Sequence, residues 1–176
     1  EFRRVLFRST DTIGGIPPLM HALSKQAEEK KKREDWNKVV EALLAAGADV
    51  NAQGKDGSTA LYRATVNKNH PIVLKLLSMG ADPNVMFEDR YEMSPLHRSI
   101  FDKEVATSLA LLEAGANPNL LSSKSMTPFI IAISRGNEEL ALACLEHGAS
   151  MEKIDKYDPL VLAVKEGLPK IGRAHV

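Results

Sequence analysis

Cys144 and His147 stand three residues apart, a spacing that puts two side chains on one face of a helix. A thiolate and an imidazole so placed could begin a metal site or a nucleophile–base pair. Both chemistries need more than two groups, because a metal wants further ligands and a nucleophile wants an oriented base. His21, His70 and His97 are scattered along the chain and form no cluster with them. Cys144 also takes a place that leucine fills in three parallel segments, at Leu43, Leu76 and Leu111. Core packing is therefore its expected role, since a free thiol packs as a small hydrophobe. No phosphate-cradling glycine loop and no paired carboxylates stand out. The sequence accordingly assigns no catalytic, cofactor-binding or metal-binding residue, and no enzymatic activity is expected.

The segments that place Cys144 recur. Leu43–Asn51, Leu76–Asn84, Leu111–Asn119 and Cys144–Ser150 are near-copies of one phrase, with glycines at 47, 80, 115 and 148. Steps of 33, 35 and 33 residues mark a stacked-repeat solenoid. A second phrase precedes each glycine block. It reads Pro17–Ala22, Thr59–Ala64, Ser94–Ser99, Thr127–Ala132 and Asp158–Ala163. Proline at its second place suits a first helical turn, and Thr or Ser before it can cap the helix. Leu and Ala then form an apolar stripe at helical spacing. A second amphipathic run such as Ile72, Val73, Leu76 and Leu77 leads to a glycine suited to a left-handed helix end. Each unit thus predicts a helix pair plus a projecting hairpin.

Together the two phrases resemble the ankyrin repeat, whose signature is T-P-L-H-x-A. The resemblance covers almost all of residues 16–167. It implies an all-α ankyrin repeat solenoid with repeats at about 14–51, 52–84, 85–119 and 120–152, and a truncated fifth at 153–170. It also implies a scaffold that binds a partner protein through a concave face made of hairpin tips and first helices. Carried over residue by residue, that face holds Lys55, Asp56, Arg90, Tyr91, Met93, Phe101, Asp102, Lys124, Met126 and Arg135. In the family the His at the fourth place, here His97, hydrogen-bonds locally and braces the hairpin. Leu43, Asp49, Val50 and Asn51 resemble the hairpin sequence that asparaginyl hydroxylases modify, so Asn51 is a possible modification site as well as a structural one. Ankyrin arrays also occur beside kinase, ubiquitin-ligase and channel domains, and a regulatory role in a larger enzyme or channel is the alternative.

Departures from the period are informative. From Pro17 to the next helix start at Asp35 takes 18 residues, where the other units take nine. The insertion around Lys25–Arg33 reads as a longer, solvated first helix, with Glu28–Lys32 and Glu29–Arg33 as ion pairs at i,i+4. Lys30–Arg33 also has the composition of an import signal, weakened by flanking acids. Trp36 either anchors this helix or faces a partner. The finger around Met86–Glu92 is long and the one around Lys153–Tyr157 is short.

Residues 1–9 and 171–176 match no part of the repeat and resemble translated sequencing adapter. The ankyrin domain is then expected at 10–170, with both tails disordered and dispensable. The fifth unit would stop after its first helix, and the parent protein would continue. The chain carries 23 basic and 23 acidic residues; leaving out the tails gives 19 and 22, a net charge of −3. Such a body offers no electrostatic case for nucleic acid. A single cysteine excludes an internal disulfide framework and favours a reducing compartment. No apolar run of about 18 residues spans a membrane. The expectation is an intracellular, cytoplasmic monomer with one protein partner of unspecified identity and no cofactor.

Overall fold

A computed structural model describes residues 16–28, 32–87 and 91–173. These residues form helices and no strand. In order they are α1 (Pro18–Glu28), α2 (Arg33–Ala45), α3 (Ala60–Val66), α4 (His70–Ser78), α5 (Pro95–Phe101), α6 (Val105–Glu113), α7 (Pro128–Ser134), α8 (Glu138–Glu146), α9 (Pro159–Lys165) and α10 (Pro169–Arg173). The chain divides into two compact units, one ending at residue 88 and the other beginning at residue 89. In the first, α1 packs on α2 and on α3, and α3 packs on α4. In the second, α5, α7 and α9 form one layer and α6, α8 and α10 another, with α5 paired to α6, α7 to α8 and α9 to α10. The projecting fingers carry isolated bridges, Gln53 with Thr59 and Ile154 with Tyr157, where full hairpins were expected.

The helix limits follow from the repeated phrases. Thr59, Ser94 and Thr127 side chains accept from the backbone N–H three residues on, as capping predicts. At the other end, Gly115 adopts φ +86°. Its N–H reaches the Leu112 carbonyl at 2.9 Å and the Ala116 N–H reaches that of Leu111 at 2.9 Å. That crossed pair satisfies carbonyls a helix end would orphan, and it needs a left-handed residue at the glycine. Gly47, Gly80 and Gly148 repeat it.

The insertion lengthens two helices, where one longer helix was expected. The next three pairs have seven and nine residues, as in α3 and α4, whereas α1 has 11 and α2 has 13. Glu28 closes α1 and pairs with Lys25 at 2.7 Å, while Arg33 opens α2 and donates to the Asn67 carbonyl at 3.1 Å. The expected Glu28–Lys32 pair therefore does not share a helix. Glu29 and the Lys30–Lys31 part of the basic run lie outside the described residues. Trp36 is half-buried. The two long helices are joined by amides rather than charges. Gln26, fully buried, donates to Asn37, and Asn69 donates to Gln26 at 2.9 Å and to Asn37 at 2.7 Å.

The fifth unit has a second helix after all. α10 is one short turn, packed on α9 and α8, and its Ile171 is fully buried. Ile171, Gly172 and Arg173, expected in a dispensable tail, belong to this turn in the fold. Residues 1–9 and 174–176 lie outside the described residues. Deleting 171–176 is expected to cost about 1.5–3 kcal/mol, the worth of one buried isoleucine side chain. Urea denaturation of the full and shortened chains measures it, and coincident midpoints would show that α10 contributes nothing.

Candidate partner-binding cleft

In the second unit the segment entering α5 and the finger between α6 and α7 are stitched together. The Ser123 N–H donates to the Tyr91 carbonyl at 3.1 Å, and the finger closes on itself through Ser122 N–H to the Met126 carbonyl at 3.0 Å. Between these segments and α5 and α7 lies a cleft of about 340 Å³. Six residues expected on a partner-facing surface line it: Tyr91, Met93, Phe101, Lys124, Met126 and Arg135. Arg98, Ser122 and Ile131, which the sequence reading did not select, line it with Ser134. Arg98 lies three residues before Phe101, a spacing that shares a helix face and could have revealed it.

The walls are aromatic and cationic. Tyr91 is 38% exposed and Phe101 41%. Lys124 Nζ stands 4.7 Å from the Tyr91 ring centroid, and the Arg135 guanidinium carbon 3.8 Å from that of Phe101. Arg98 Nε donates to Asp102 Oδ2 at 2.7 Å. Among the described residues no carboxylate lines the cleft.

His97 fixes the finger from below. It is fully buried on α5. The Ser94 backbone N–H meets its Nδ1 at 3.2 Å, so Nδ1 accepts. Nε2 therefore carries the proton and donates to the Met126 carbonyl at 3.1 Å. With Ser94 Oγ accepting from the His97 N–H at 3.3 Å, this completes a capping box. Burial pushes the imidazole down to about 4, so it is neutral near pH 7. The local bracing role expected of His97 is thus the one its contacts describe.

Other expected site residues lie elsewhere. Lys55 and Asp56 belong to the first unit. Burial alone would raise the Asp56 carboxyl, but hydrogen bonds from Ser58 and the Arg63 guanidinium, 2.7 Å away, outweigh it and hold it below its usual range. Asp102 caps α5 and faces Arg98, outside the cleft lining. Arg90 lies outside the described residues. Asn51 is exposed, yet both ends of its amide are engaged: Nδ2 donates to the Gly80 carbonyl at 3.1 Å and Oδ1 accepts from the Asp82 N–H at 2.8 Å. Asn119 makes the same pair with Gly148 at 2.8 Å and Ser150 at 2.7 Å.

The thiol–imidazole pair dissolves on folding. Cys144 is fully buried, and burial pushes its thiol up to about 12, so it stays protonated. His147 is exposed at the end of α8, with Nδ1 2.9 Å from the Ala143 carbonyl. Among the described residues no three His, Cys, Asp or Glu side chains are grouped to hold a metal ion.

Residues 6–86 and 32–121 match the family model described as ankyrin repeats (3 copies). The chain belongs to the ankyrin repeat family. A putative ankyrin repeat protein of fowlpox virus (strain NVSL) is 44% identical over 119 residues, covering 65% of this chain and 24% of the viral protein. The human mitochondrial disaggregase is 40% identical over 73 residues, 38% of this chain and 10% of that protein. The human transient receptor potential cation channel subfamily A member 1 is 26% identical over 129 residues, 68% of this chain and 11% of the channel. This chain therefore spans a quarter or less of these relatives. Ankyrin repeats generally mediate protein–protein interaction, and the family is typically non-catalytic. No helix among the described residues is long and apolar enough to cross a membrane.

Proposed function

We propose that this ankyrin array is an interaction module that binds a partner protein through the cleft bounded by Tyr91, Met93, Phe101, Lys124, Met126 and Arg135. The observation that carries the proposal is the pair of half-exposed aromatics, Tyr91 and Phe101, on the walls of one cleft. Exposed apolar residues gathered around a concavity favour recognition, because a few aromatic anchors dominate most interfaces. Lys55, Asp56, Arg90 and Asp102 belong to the same proposal as further partner contacts along a concave face. A monomer in a reducing, intracellular compartment suits the single buried thiol of Cys144.

Replacing both Tyr91 and Phe101 with alanine is expected to weaken partner binding by about 2 kcal/mol or more. Stability should stay within about 0.5 kcal/mol, as for most exposed substitutions. Affinity purification with both proteins, quantified by mass spectrometry beside their melting curves, checks it. A much lower melting point would mean the two rings only seal the finger. Equal melting with equal recovery of every partner would place the binding surface elsewhere.

A second reading is that the array regulates an enzyme or channel of which it forms a part. The likeness to a cation channel over 129 residues favours it. The full-length transcript decides: catalytic motifs or apolar 20-mers outside this segment support that role, and further repeats alone argue against it.

A further inference from the structure

Resting on the binding reading above, we infer that the cleft selects an acidic peptide segment carrying one large apolar side chain. The apolar group would enter between Tyr91 and Phe101, and flanking carboxylates would meet Lys124 and Arg135. Three observations on the cleft lead there. First, of the ten described lining residues three are cations, Arg98, Lys124 and Arg135, and none is an acid. Second, Arg98 is already matched by Asp102 at 2.7 Å, whereas Lys124 and Arg135 are held against rings, at 4.7 and 3.8 Å. Third, those rings are themselves the half-exposed apolar surface, so charge and apolar contact are offered side by side.

The physics favours an anion over a neutral or basic segment. A cation resting on an exposed aromatic face gains little from the ring, so it retains most of its capacity for a carboxylate. A charge-assisted hydrogen bond to that carboxylate is among the stronger polar contacts. Stacking also holds each cation in place before the partner arrives, which lowers the ordering cost of binding. A basic segment meets the opposite situation, with like charges brought together and no acid among the described lining residues to relieve them.

Fluorescence anisotropy with the whole chain and short labelled peptides tests this. One peptide carries a phenylalanine flanked by glutamates, a second has glutamines in place of the glutamates, and a third has lysines. The glutamate peptide should bind about tenfold or more tighter than the glutamine one, the gain expected of one or two charge-assisted contacts. The lysine peptide should bind weakest. In the double variant Lys124→Glu, Arg135→Glu the order should reverse, with circular dichroism confirming an unchanged fold. Equal binding of the glutamate and glutamine peptides, or an unchanged order in the double variant, overturns the inference. If that equal binding is abolished by Phe101→Ala, the cleft still binds and only its charge selectivity is refuted. If no peptide binds while alanine at Tyr91 and Phe101 removes partners in the purification, the selectivity is again refuted and the binding surface stands.

Discussion

Lowering the pH from 6.5 to 4 is expected to destabilise the fold by roughly 3 kcal/mol through His97 alone. The unfolded chain takes up a proton on this imidazole near its ordinary value of 6.5, and the folded chain resists it down to about 4. Over that window the unfolded state binds more protons, so stability is whole above pH 6.5 and is lost progressively towards pH 4. A gap of that size corresponds to about 3 kcal/mol, at about 1.36 kcal/mol per pH unit. The structural cause is local. Protonation would turn Nδ1 into a donor facing the Ser94 N–H, which already points at it from 3.2 Å. The capping box of α5 would break while the Nε2 bond to Met126 survives. Carboxylates also titrate in this range, so the measurement is a difference between two proteins. Urea denaturation of wild type and His97→Gln at pH 7, 5.5 and 4.5 should give free-energy curves that converge as pH falls. Parallel curves would show that the imidazole titrates normally.

Phe129→Ala is expected to cost about 3–5 kcal/mol, the usual range for deleting a buried phenylalanine ring. Phe129 is fully buried on α7, the helix on which both α5 and α9 pack. A cavity there has neighbours on both sides, so loosening should spread through the second unit. Thermal melts and hydrogen exchange of α5 and α9 test this together. A loss below about 1 kcal/mol would mean that the site collapses around the missing ring. Because α5 carries Phe101 and Arg135 caps α7, this variant should also widen the cleft and weaken any peptide that wild type binds.

Much of this was legible in the sequence because the repeat works through backbone chemistry that has few solutions. Thr59, Ser94 and Thr127 announced helix starts, and Gly47, Gly80, Gly115 and Gly148 announced left-handed helix ends. Carrying the ankyrin family's partner-facing positions over in that phase named ten residues; Tyr91, Met93, Phe101, Lys124, Met126 and Arg135 line one cleft, whereas Lys55 and Asp56 belong to the first unit and Asp102 lies outside the lining. What stayed hidden depends on partners distant in sequence. Nothing in the repeated phrases marks Gln26, Asn37 or Asn69, yet they find one another across 11 to 43 positions, with Gln26 and Asn69 buried. Ile171 was hidden for the opposite reason. Its segment shares no phase with the repeat, but an apolar residue beside an open helix face needs no motif to be covered.

The asparagine ties have a consequence for what the fingers tolerate. Asn51 reaches Gly80 and Asp82, and Asn119 reaches Gly148 and Ser150, at the same separations of 29 and 31 residues. Each tie is anchored at the corner where a finger leaves its helix, before the finger's own length begins. Thr59 lies 12 residues beyond Gly47 and Asp158 only ten beyond Gly148, with neither tie disturbed. Finger length is thus uncoupled from the asparagine ties that join one corner to the next. A foreign loop grafted at Lys124 would leave the Asn119 tie intact and would keep its placement only if the Ser123 and Met126 backbone bonds to Tyr91 and His97 were preserved, so redesign of what the array recognises belongs between those two anchors.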